Sequence, residues 1–169
     1  MIIHGVVHLK ALPGSPSNSL ELDEITKLAQ KDVENLYTAG VDGIIIENFG
    51  DVPFVKNDIS KRTLASFTSV VQKLEINSDL KVGINVLRND GIAALSIAEA
   101  TNSDFVRINV LNNVMMFTDQ GIIEGEAHEI ADFKKNLNND IEIYADVFVK
   151  HAVPPEGSKI ENHAEELIN

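Results

Sequence analysis

Five short runs rich in β-branched residues alternate with stretches of helical periodicity along the 169-residue chain, and this alternation restricts the fold more than any other feature. The runs are Ile2 to Leu9, Asp42 to Glu47, Lys81 to Leu87, Asp104 to Val110 and Ile141 to Val149, each read as a buried strand. Between the first two, Leu22, Ile25, Ala29, Val33 and Leu36 recur at three- and four-residue spacing. Ser19 is the expected N-cap of that helix, and Gly40 suits the left-handed position just past its end. Leu64, Phe67, Val71 and Leu74 make a second stripe. A third helix, from about Gly91 to Ala100, is apolar on most sides, so burial is expected. Ala127, Ile130, Phe133 and Leu137 make a fourth, and a short fifth begins near Ile160. Alternation at these spacings implies βαβ units and a parallel sheet with right-handed crossovers, within a single domain spanning residues 1–169. Periodicity leaves a closed barrel and an open doubly wound sheet both standing. The phosphate-loop and dinucleotide fingerprints are absent, which weakens the open-sheet cofactor folds.

Composition narrows the function. Apolar residues make up 44% and charged residues 24% of the chain, as in globular proteins. The formal net charge of −12, with no local Lys/Arg cluster, argues against a nucleic-acid partner and against an anionic membrane surface. With no cysteine, disulfides and thiolate metal sites are excluded. The N-terminus lacks the basic and long apolar regions of a signal peptide, and no apolar run approaches a membrane span, so a cytoplasmic location is expected.

Strand parity then locates the chemistry, because alternate residues of a strand face opposite ways. Val106, Ile108 and Val110 form an aliphatic face suited to packing under helices, and Val82, Ile84 and Val86 repeat it. The opposite faces turn polar toward the C-terminal ends, where they carry His8, Glu47, Asn85, Arg107, Asn109, Asp146 and Lys150. Ligands of parallel α/β folds bind at that end. Buried unpaired charges are costly, so these groups are expected either to pair with one another or to open into a cleft. Three readings stand: a self-satisfied layer with Arg107 on Asp146, a divalent-metal site using His8, Glu47, Asp146 and His151, and a site where Lys150 neutralises an anion or serves as a base. Arg88 is placed to grip an anion, Asn89 in a turn, and Asp90 at a helix cap. Thr118 to Gly121 is either an ordinary turn or a loop over the site; His128 and His163 are read as solvated, and Met115 and Met116 as packing.

Six strings go beyond generic pattern: GVVHLKALPGSP from Gly5, GVDGIIIENFGDVPF from Gly40, GINVLRNDGIAALSIAEAT from Gly83, FVRINV from Phe105, TDQGIIEGEAHE from Thr118 and ADVFVKHA from Ala145. In this order and spacing they resemble the BtpA family, which includes a cyanobacterial photosystem I biogenesis factor. The resemblance runs to about Pro154. It implies a TIM-type (β/α) barrel akin to ribulose-phosphate-binding barrels. It marks as motif positions His8, Glu47, Asn48, Asp51, Asn85, Arg88, Asn89, Asp90, Arg107, Asn109, Asp119, Asp146, Lys150 and His151. Asp146, Glu47 and Lys150 are the candidate catalytic groups among these, and the others except Asp51 are candidate ligand contacts.

A TIM barrel has eight strand–helix units and typically about 250 residues, so the chain is expected to form a barrel truncated after about five units. Its first and fifth strands would then be open edges, and each buried backbone group left unpaired costs about 1–3 kcal/mol. Self-association or a complementary fragment is therefore expected, with aggregation or a partly molten state as the consequence of lacking either. Three functions are weighed: a role in the biogenesis or stability of a membrane complex, through peripheral association; an enzyme acting on a small anionic metabolite, phosphorylated or not; and a truncated product without function. Substrate and reaction stay open, as does any cofactor beyond a candidate divalent metal.

Overall fold

A computed structural model describes residues 1–118 and 120–168, except for the side chains of residues 116–118. Strands and helices alternate as β1 (His4–His8), α1 (Leu22–Thr38), β2 (Gly43–Glu47), α2 (Lys61–Lys73), β3 (Lys81–Asn85), α3 (Gly91–Thr101) and β4 (Phe105–Ile108). There follow a hairpin of β5 (Val114–Thr118) and β6 (Gly121–Glu124), then α4 (Ala127–Lys135), β7 (Glu142–Ala145) and α5 (Ile160–Ile168). The main sheet has the order β1-β2-β3-β4-β7, every pair parallel, with β1 and β7 at its edges. This is the α/β parallel sheet that the alternation implies.

Parity holds through the sheet. Val7, Ile44, Ile46, Ile84, Val106 and Ile108 lie on one face and are almost completely buried under α1 to α4. Burying each such side chain is worth about 1.5–3 kcal/mol, which makes this layer the main source of cohesion. The helices meet it through the stripes read above; on α1, Ile25, Ala29 and Val33 are buried. The uniformly apolar α3 is buried along most of its length, including Ala93, Ala94, Leu95, Ile97 and Ala98.

Caps set the helix limits. Gly40, at φ 78°, ends α1 in the left-handed region, where glycine has no steric penalty. Ser19 does not cap α1. The helix starts after Glu21, whose carbonyl accepts from the Glu24 and Ile25 amides. The Asn18 amide explains the later start: it bonds the carbonyls of Ala11 and Leu20 and keeps that stretch in a turn. Ser60 caps α2 through the Thr63 amide, and Asp90 caps α3 through the Ala93 amide.

All five strands of the main sheet are shorter than the runs read from the sequence, and three lose two residues or more at the C-terminal end. β3 stops at Asn85, β4 at Ile108 and β7 at Ala145. Beyond β4, the Asn89 side chain donates to the Val110 carbonyl at 2.9 Å and accepts from its amide at 2.8 Å. It thus takes the place a neighbouring strand would fill. The β5–β6 hairpin is an element the sequence pattern did not announce. Gly121 has φ 83°, and Met115 and Ile123 pack with Val110 and Val149. No helix of the described residues is long and apolar enough to cross a membrane.

Candidate functional site

The second face of the sheet carries rings and polar groups where the first carries aliphatic side chains. Val6, Ile45, Gly83 and Phe105 form one tier across it. A Cβ on Gly83 would lie 2.1 Å from the Phe105 ring, so glycine there lets the ring lie flat across β3. Phe105 stacks on Tyr144 at 4.5 Å and on His4 at 5.0 Å.

One step toward the C-terminal ends lies the polar tier, with His8, Glu47 and Asn85 in register and Arg107 beside Tyr144. Arg107 donates from Nε to Asp146 Oδ1 at 3.0 Å and from Nη2 to Oδ2 at 2.8 Å. This forked geometry matches guanidinium to carboxylate, and Asn109 adds a donor to the same Oδ2 at 3.2 Å. The remaining guanidinium nitrogen, Nη1, lies 3.7 Å from Glu47 Oε2, while His8 Nε2 is 3.8 Å from Oε1. Asn85 donates to the Arg107 carbonyl at 2.8 Å and to Asn109 Oδ1 at 3.1 Å, while its own buried Oδ1 has no hydrogen-bond partner among the described residues. The expected convergence of Glu47, Arg107 and Asp146 is present, together with the Arg107–Asp146 pairing.

Glu47 is only 5% exposed. Burial raises its carboxyl above the ordinary range; Arg107, His8 and Arg88 oppose that shift without reversing it, and Asp146 adds to it. A carboxyl whose proton is held more tightly than usual suits general acid–base work.

Other candidate residues are committed to structure. Asn48 accepts from the Leu87 amide and donates to the Leu87 carbonyl and to Asp51. Asp51 in turn accepts from the Leu12 amide at 2.7 Å, so the loops after β1, β2 and β3 are tied together. Burial raises the Asp51 carboxyl as well, against the hydrogen bonds it receives. Asp90 accepts from Ile59 as well as from its cap partner. Asp119 lies outside the described residues.

Above the polar tier opens a cavity of about 400 Å³, within the range of small-molecule sites. Its polar wall includes Glu47, Arg88, Arg107, Lys150 and His151. Arg88 is buried, with Nη2 donating to the Lys150 carbonyl at 2.7 Å, and Lys150 itself is exposed at the rim. The apolar part of the lining includes Val6, Phe49, Phe54, Leu87 and Val149. Sequence reasoning missed Phe49 and Phe54, although both stand in the ENFGDVPF string directly after Glu47. A comparable cavity at the other end of the strands has Asp104 as the one titratable residue among its described lining. Metal ligation gains no geometric support: no three His, Cys, Asp or Glu among the described residues are disposed around a common point. His163, read as solvated, instead sets its ring edge against Phe148 at 4.9 Å, while His128 is exposed.

A family model described as the BtpA family matches residues 1–169. An uncharacterized protein of Thermococcus kodakarensis is 51% identical over 149 residues, covering 88% of this chain and 56% of that protein. The photosystem I biogenesis protein BtpA of Synechocystis is 45% identical over 150 residues, covering 89% and 52%. A mitochondrial protein of Caenorhabditis elegans is 32% identical over 170 residues, covering 96% and 60%. The chain thus spans a little over half the length of these relatives. No solved structure matches it. By the family match over its whole length, the chain belongs to the BtpA family.

Proposed function

We propose that this chain carries the binding site of a (β/α)-barrel protein that takes a small anionic, phosphorylated metabolite, with Glu47 as its proton-transferring group. The observation that carries the reading is a reversal of charge. In a chain of net charge −12, the cavity wall gathers Arg88, Arg107 and Lys150 around one carboxyl that burial holds toward neutrality. Asp146 grips Arg107 from the neighbouring strand and orients it, so a phosphate would meet a positioned donor. The barrel itself is supported by a sheet whose one face is covered by helices and whose other face bears the site, between two parallel edges.

Titration with ribose 5-phosphate and with inorganic phosphate, followed by NMR or calorimetry, tests the reading. Arg107→Ala and Lys150→Ala should each weaken ribose 5-phosphate binding roughly tenfold or more, the scale of one charge-assisted contact. Binding that survives both substitutions sinks the assignment.

A second reading, a role in the biogenesis or stability of a membrane complex, is favoured by the name of the Synechocystis relative. Affinity capture from separated membrane and soluble fractions discriminates it. This reading expects a membrane-complex subunit to co-purify, and expects substitutions on the exposed faces of α1 and α2 to matter more than Arg107→Ala.

A further inference from the structure

The cavity lining is part cationic and part aromatic, and the cations account for only the first part. Phe49 lines the same cavity as Arg88, Arg107 and Lys150 and is 49% exposed, although the protein buries Phe67 and Phe105 almost completely. Its ring stacks on His8 at 4.3 Å with 18° between the planes, and Phe54 lies tilted beside it at 6.4 Å. His8 leaves half its side-chain surface open, so the pair forms a flat aromatic shelf that reaches solvent. An exposed phenylalanine keeps apolar surface in water, an arrangement that marks binding surfaces when it lines a cavity. A phosphate or a sugar phosphate would engage the cations and leave this shelf wet.

We propose that the ligand of this site is an anion joined by a short spacer to a flat heteroaromatic ring, of which a nucleoside monophosphate is the simplest form. The ring lies against the Phe49–His8 shelf, and the anionic group reaches Arg88, Arg107 and Lys150. Glu47, which has His8 at 3.8 Å and Arg107 at 3.7 Å, faces the polar edge of the ring or the hydroxyls of the spacer. This rests on the anion-binding reading and adds to it a demand for a ring.

The experiment compares adenosine 5′-monophosphate, adenosine, ribose 5-phosphate and inorganic phosphate on the same chain by calorimetry or ligand-observed NMR. Stacking of a base on an aromatic side chain should make the nucleotide bind about 5- to 100-fold tighter than ribose 5-phosphate. Phe49→Ala should erase that difference while leaving ribose 5-phosphate within about twofold of its original affinity; Phe49→Trp should preserve it. Because Phe49 is half exposed, both variants are expected to melt as the parent does, which circular dichroism verifies. Equal affinity for nucleotide and sugar phosphate in the parent, or a Phe49→Ala that weakens both alike, overturns the ring requirement and spares the anion site. If no anion binds, or binding is indifferent to Arg107→Ala, the anion site falls and the ring requirement with it.

Discussion

Glu47 lies where two forces disagree. Burial favours its neutral form, while Arg107 at 3.7 Å, His8 at 3.8 Å and the nearby Arg88 favour the carboxylate. Burial prevails, so the folded protein holds this proton more tightly than the unfolded chain does. The linkage has a definite sign: the contribution to stability is fully present below the ordinary carboxylate range and is lost as pH rises through the elevated folded value. Glu47→Gln imitates the protonated group. Its melting temperature should therefore match that of the parent near pH 4 and exceed it increasingly toward about pH 8. Parallel curves for the two proteins over that interval would show that the carboxyl titrates normally. His8, Arg107, Arg88, Asp146 and Lys150 are common to both proteins and drop out of the comparison to first order.

At the level of elements, single polar side chains hold the loops that carry the site. Asp90 joins the start of α3 to the segment before α2, with one oxygen on the Ala93 amide and the other on the Ile59 amide. Replacing it with alanine removes a cap and leaves a buried donor unmatched, for a loss of about 2–4 kcal/mol. Chemical denaturation would measure this, and a loss under about 1 kcal/mol would show that another acceptor steps in. Such side-chain roles explain what could and could not be read from the sequence. Asp90 announced itself because aspartate before Gly91 is a cap by local preference. Asn89 and Asn48 did not, because their partners Val110 and Leu87 are fixed by the tertiary fold. Parity found the polar tier, since alternation within a strand is a local property. It could not find Phe49, which lies in the loop after β2, where no period constrains direction. The β5–β6 hairpin escaped for a similar reason: a two-strand ribbon carries a weak pattern, and its partners Val110 and Val149 come from distant segments.

For the whole molecule, the covered face and the open face of the sheet pose different problems. Under the helices the layer is closed. On the other side Val6 and Tyr144 are 37% and 44% exposed, and among the described residues no strand lies beyond the backbone edges of β1 and β7. Exposed edges of this kind recruit further strands. The chain on its own is expected to self-associate with concentration, or to bind a complementary fragment of a longer relative, as size-exclusion chromatography with light scattering would register. A monomer that melts cooperatively and binds no ANS would contradict this expectation.

The clasp between Arg107 and Asp146 has a thermodynamic corollary. Its two halves come from β4 and from the residue just after β7, while Arg88 reaches the Lys150 carbonyl farther along the same segment. A ligand held by these cations would also be holding the outermost strand against the sheet. Occupancy of the cavity should accordingly slow amide hydrogen exchange in β7.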